Sequence, residues 1–92
     1  MRTKQLPISE GTGELKFRGF AGPVAYRIEG EPQKLKLGPA RVRGSITTTA
    51  EIAEDAFRAG DGTLVLEDGD SYRIVMLGHS TGATEVFVEL RY

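Results

Sequence analysis

The stretch Thr63-Leu-Val-Leu-Glu-Asp-Gly-Asp-Ser-Tyr-Arg-Ile-Val-Met-Leu-Gly-His-Ser-Thr-Gly-Ala-Thr-Glu-Val-Phe-Val-Glu-Leu-Arg91 decides the fold class. Leu64 and Leu66, then Tyr72, Ile74 and Met76, then Val86, Val88 and Leu90 recur at every second position, the period of a strand with one buried face. Asp68-Gly69 is a tight-turn dipeptide and Ser80-Thr81-Gly82 a looser turn, so three strands, 63–67, 72–78 and 84–91, read as an antiparallel meander. The other face of these strands is mixed: Val75 and Leu77 share it with Arg73, and Phe87 shares it with Glu85 and Glu89. Apolar residues on a face that is otherwise charged predict cover by the helix or by another molecule.

Upstream of the meander lies the chain's one helix signal. Thr48 and Glu51 have the spacing of a capping box, Ile52, Ala53, Ala56 and Phe57 form one apolar stripe, and Gly60 is suited to end the helix. Glu51, Glu54 and Asp55 stand near its positive end and Arg58 near its negative end, as the helix dipole favours. These signals predict a helix over 49–59.

Farther upstream the two-residue period returns. Leu15 and Phe17 alternate with Glu14, Lys16 and Arg18, and after Gly19-Phe20-Ala21-Gly22-Pro23, read as a bulge or turn with Phe20 out of phase, Val24, Tyr26 and Ile28 alternate with Ala25, Arg27 and Glu29. Lys34-Leu35-Lys36-Leu37 reads as a short strand with its lysines outward. Ala40, Val42, Gly44 and Ile46 then alternate with Arg41, Arg43, Ser45 and Thr47, and the small Gly44 on the inner side predicts close approach of another element. Residues 1–13, with Pro7, Gly11 and Gly13 and no sustained period, read as a flexible N-terminal leader, and 14–92 as a single β-rich domain. The expected architecture is mostly β, α+β by count: a small antiparallel β-barrel or two-sheet sandwich of about seven strands, with the short helix between strands four and five.

At 92 residues the chain has room for one core, and it contains no cysteine, which removes disulfides, thiolate metal sites and cysteine nucleophiles. No signal peptide or membrane-length apolar run is legible, so a soluble, cytoplasmic protein is expected. Charge is sorted along the chain: residues 1–44 hold nine Lys/Arg against four acids, and residues 45–92 hold three against nine, while the formal net charge is −1. Such a split fits either a phosphate-facing basic half or two sets of strands that attract one another.

His79 is the only histidine, and Ser80 follows it. Neighbouring side chains on a strand or turn point apart, and no Gly-x-Ser-x-Gly elbow is present, so this pair is a weak polar site and no catalytic residue is assigned. Asp61, Glu67, Asp68 and Asp70 lack the spacing of a calcium loop and read as turn chemistry; no metal and no cofactor are expected. The glycines around 60–62 and 19–22 lack phosphate-loop spacing. The basic strand residues Lys16, Arg18, Arg27, Lys34, Lys36, Arg41 and Arg43 could contact phosphates, but Phe17 and Tyr26 alternate away from them into the core, and the pI of about 5.8 is unlike that of electrostatic nucleic-acid binders.

The expectation is a non-enzymatic protein-interaction or self-association module. Its candidate interaction residues are Val75, Leu77, Phe87, Lys16, Arg18, Arg27, Arg41 and Arg43, and its partner is another protein or a second copy. A binder of anionic ligands or nucleic-acid backbone through the basic strands, and a small hydrolase or metal-dependent enzyme around His79, are the alternatives.

Overall fold

In a computed structural model, which describes residues 7–38 and 42–91, the alternating segments close into one barrel. Its strands are β1 (Ile8–Phe17), β2 (Phe20–Glu29), β3 (Val42–Thr47), β4 (Asp61–Val65), β5 (Ser71–Gly78) and β6 (Glu85–Arg91), with a 3₁₀ turn, η1 (Pro32–Lys36), after β2 and a helix, α1 (Ala50–Ala59), after β3. The order around the barrel is β1-β2-β3-β6-β5-β4, and every neighbouring pair is antiparallel. Closure decides between the two expected architectures: this is a barrel, and among the described residues six strands form it where seven were expected.

The seventh, 34–37, is where the difference arises. Pro32 at the start of this segment cannot donate to a ladder and is preset for a helical turn, so Pro32–Lys36 winds as 3₁₀. Pro32 is buried, Leu35 packs on the core, and the Lys36 ammonium lies 5.7 Å from the centre of the Tyr72 ring and 3.6 Å from the Asp70 carboxylate. A two-residue hydrophobic period over four residues does not separate these outcomes. With this segment helical, the main helix falls between the third and fourth strands of the six.

Two further differences concern the first hairpin. β1 starts at Ile8, so residues 8–13, read as part of the leader, pair with β2 from Ile8↔Glu29 to Gly13↔Val24; residues 1–6 lie outside the described residues. The cross-strand partners supply what the local pattern lacks. The turn is also tighter than read: Arg18-Gly19 alone connects Phe17 to Phe20, with Gly19 at φ +89, as a second central residue of a type II turn requires. Phe20 is thereby in phase with Val24, Tyr26 and Ile28, and its ring stacks on Phe17 with centroids 5.1 Å apart.

The core is the inward column of each strand: Leu15, Val24, Tyr26, Ile28, Val42, Ile46, Leu64, Leu66, Tyr72, Ile74, Met76, Val86, Val88 and Leu90 are all buried. All eight meander residues expected to face inward do so. At Gly44 the expected close approach is present, for a Cβ there would stand 2.4 Å from the Arg27 carbonyl oxygen of β2. An inward position without a side chain lets β3 coil tightly against its neighbour, as a six-stranded closure demands.

Helix α1 packs against β4, β5 and β6 through Ala53 and Ala56, both fully buried. It lies at one end of the barrel, near the starts of β4 and β6, while η1 lies by the start of β5 at the other. The helix cap is one residue later than the expected Thr48: the Thr49 hydroxyl accepts from the Ile52 N–H at 3.2 Å, and the Gly60 N–H closes the C-terminus on the Ala56 carbonyl. Thr49→Ala is expected to lower stability by about 1 kcal/mol in urea titration followed by circular dichroism. Thr48→Ala, which lacks that bond, serves as the comparison, and an equal loss from both would reassign the cap.

A small polar latch joins the first hairpin to the 66–70 turn. The Glu67 N–H donates to the Tyr26 hydroxyl at 3.3 Å, and the Thr12 N–H donates to Glu67 Oε1 at 3.1 Å. Because β4 meets β1 only from Glu14 to Lys16, this latch occupies the β1 edge where the ladder stops.

Candidate functional site

The outward columns of β2, β3, β6 and β5 build the surface with the most unusual composition. Across one row of the barrel wall, Arg27 stands opposite Ser45, and Ser45 opposite Phe87. The next row toward the η1 end runs Glu29, Arg43, Glu89 and Val75. Between Arg27, Arg43, Ser45, Glu85, Leu77 and Phe87 lies a shallow depression of about 420 Å³. Phe87 is 54% exposed and Leu77 47% exposed, while Ser45 between its larger neighbours is buried although it points outward.

A β-bulge sets the position of Leu77. Met76 pairs with Val88 and Gly78 with Phe87, the adjacent residue of β6, so Leu77 is an extra residue without an opposite number. The Phe87 ring lies beside Gly78, its Cδ2 4.0 Å from where a Cβ would stand, an ordinary contact distance. Two apolar side chains are held out of the core here by ladder geometry, and the helix does not cover them as the sequence reading allowed.

The structure therefore brings together Leu77, Phe87, Arg27 and Arg43 from the eight candidates. Val75 lies one row away, opposite Asp61 on one side and Glu89 on the other. Lys16 and Arg18 sit at the far end of the first hairpin. Lys16 is 3.8 Å from Glu14, and Arg18 lines a separate cleft of about 360 Å³ with Phe17, Phe20, Asp55 and Arg58. Arg41 lies outside the described residues.

The two halves of the charge split lie on adjoining sides of the barrel, β1, β2 and the start of β3 on one and β6, β5 and β4 on the other, and each side carries charges of both signs. Arg43 stands in register between Glu29 and Glu89, Lys36 reaches Asp70, and Arg91 bonds Glu89 at 3.1 Å. Arg27 is 3.4 Å from Glu10, and Lys34 3.0 Å from Glu31. Apart from Arg91–Glu89, whose glutamate side chain is only 13% exposed, these pairs are exposed and contribute little stability each, but they break the basic strands into neutral patches. Arg43 has no ion pair within 4 Å among the described residues, so its guanidinium is available.

His79 and Ser80 are placed in the β5–β6 connection. The His79 Nε2–H donates to the Ala83 carbonyl at 2.9 Å, its ring tilts against Phe57 of α1 at 5.9 Å, and the Ser80 carbonyl accepts from the Ala83 N–H. The imidazole is thus engaged in closing the turn. Asp68 has an equivalent local task, its carboxylate accepting from the Asp70 N–H at 2.9 Å. Among the described residues no cluster of three His, Asp or Glu is arranged to hold a metal ion, and no helix is long and apolar enough to cross a membrane.

Ser45 and Glu89 are the residues of this surface that sequence reasoning passed over. Their outward direction was legible from alternation; what singles them out is the register that sets Ser45 beside Phe87 and Glu89 beside Arg43. Compared with known proteins, the chain matches no family model, no curated protein and no solved structure.

Proposed function

We propose that the protein is a non-enzymatic protein-interaction module that binds through the outer face of β2, β3, β6 and β5. The observation that carries this reading is the pair of exposed apolar side chains, Leu77 and Phe87, flanking a depression rimmed by charges of both signs. An apolar centre inside a polar rim is the usual anatomy of a protein-binding patch, and aromatic residues dominate the energetics of such centres. The neutral balance of the rim favours a protein surface over a polyanion, which selects for net positive charge.

Two assays on the wild type and on the Leu77→Ser/Phe87→Ser double variant test the reading: light scattering over a concentration series, and selection of displayed peptides on the immobilised domain. The expected result is an association, with self or with a peptide, that the double variant loses by about tenfold or more while its melting temperature stays within a few degrees of wild type. No association in either assay, or one the variant retains in full, overturns it.

A further inference from the structure

Resting on that reading, we infer that the partner of this face is a second copy of the chain, docked about a twofold axis that runs parallel to the strands between β3 and β6. The warrant is the composition of two adjacent outward columns. On β3 they read Arg43, Ser45 and Thr47; on β6, directly opposite in register, Glu89, Phe87 and Glu85. One column is a cation followed by two small hydroxyl residues. The other is an anion, a large ring and an anion.

A face-to-face dimer about an axis along the β3–β6 seam exchanges the two columns, so each residue of β3 meets the β6 residue that neighbours it within its own chain. Phe87 of each copy then stands over Ser45 of the other, a protruding ring against the low floor of the depression. Arg43 of each copy faces Glu89 of the other, and Thr47 faces Glu85. A twofold axis perpendicular to the strands within the same face is excluded by charge, because it would bring Glu85 onto Glu89 and Arg27 onto Arg27 of the second copy. A self-complementary patch must carry both members of every pair, which this face does.

The charge pairing also uses what the monomer leaves available. Arg43 is exposed and has no ion pair within 4 Å among the described residues, and Glu89 is bonded by Arg91 through Oε2. The Oε1 atom of Glu89 is the oxygen for which no bond from Arg91 is formed, and it is the acceptor we assign to Arg43 of the second copy. On either side of the seam, Arg27 of one copy approaches Leu77 of the other, so that the long aliphatic part of the arginine covers the bulged leucine.

Charge reversal in trans tests this arrangement by light scattering and analytical ultracentrifugation. Arg43→Glu alone sets carboxylate against carboxylate at both symmetry-related pairings across the axis, and Glu89→Arg alone sets guanidinium against guanidinium at both. Each variant is expected to dissociate at least about tenfold more readily than wild type, since like charges facing one another at an interface are strongly unfavourable. Mixing the two single variants sets a carboxylate against a guanidinium at both pairings of the heterodimer and is expected to restore association, and so is the double variant Arg43→Glu/Glu89→Arg, which pairs opposite charges at both positions of its homodimer. Its self-association is expected within about threefold of wild type. Circular dichroism confirms that each variant is folded, and Phe87→Ser, with its ring removed from an exposed position, supplies an independent variant that also dissociates.

A wild-type monomer at several hundred micromolar overturns the inference, and the peptide selection then decides separately whether the interaction reading survives. A dimer that Phe87→Ser abolishes while both charge reversals leave it intact overturns this twofold arrangement and keeps the interaction face. A dimer insensitive to all three single variants overturns both.

Discussion

Gly13→Ala is expected to cost about 3 kcal/mol or more, the upper end of overpacking effects, out of the roughly 5–15 kcal/mol that holds a domain of this kind folded. A Cβ at this position would stand 2.2 Å from the Val65 carbonyl oxygen and 3.2 Å from the Tyr26 ring. The nearer atom is backbone of β4, and β1 meets β4 over only three register pairs, from Glu14↔Val65 to Lys16↔Thr63. The collision can be relieved only by opening the seam that closes the barrel. Urea denaturation followed by circular dichroism measures the loss, and Gly78→Ala is the matched control, since the nearest atom there is a Phe87 ring carbon at 4.0 Å. Equal stabilities for the two variants would mean that β1 and β4 do not approach this closely.

Leu64→Ala is expected to cost about 2–5 kcal/mol, the range for emptying a buried leucine site. Leu64 is fully buried, and its register partners are Leu15 on one side and Tyr72 on the other. Strands held on both sides cannot collapse into the space, so the cavity term adds to the lost transfer energy. For a domain of this size each kcal/mol is worth roughly 4–8 °C in melting temperature, so a fall of about 10 °C or more is expected in a thermal scan. Leu37→Ala, at a site 86% exposed, should leave the melting temperature within a few degrees of wild type. A Leu64→Ala loss below about 1 kcal/mol would contradict the barrel interior described above.

Both positions show how far local pattern reaches. Leu64 was legible as a core residue because alternation with turns on both sides leaves one inward column, whatever the strands then pair with. Gly13 was not, because a glycine in a stretch with little hydrophobic period looks like a leader, and its importance comes from the carbonyl of Val65, far along the chain. The same distinction separates Gly44 from Gly13. Gly44 interrupts a recognisable strand, so its missing side chain demanded an explanation that β2 supplies.

The interaction face divides in the same way. Leu77 and Phe87 could be marked in the sequence as apolar residues on a charged side, and Arg27 and Arg43 as outward cations. Their convergence could not, since it depends on β3 inserting between β2 and β6, and on the extra residue that β5 carries at Leu77. The basic first half likewise promised one positive surface. Barrel closure sets Arg43 in register between Glu29 and Glu89, and Arg27, Lys16 and Lys36 pair with Glu10, Glu14 and Asp70, so acids break that surface up.

What the amino-acid sequence by itself determined is the class and the facing of the chain: β-rich, one helix from about Ala50 to Ala59, and the inward column of nearly every strand. These are set by neighbours two to four residues apart, where turn chemistry, capping and hydrophobic period act. The tertiary structure alone decided that Pro32–Lys36 is a turn of helix, that residues 8–13 join the barrel, and which outward residues share a face. Those outcomes rest on register between distant strands, and register is the joint optimum of all six ladders, to which no single segment holds the key.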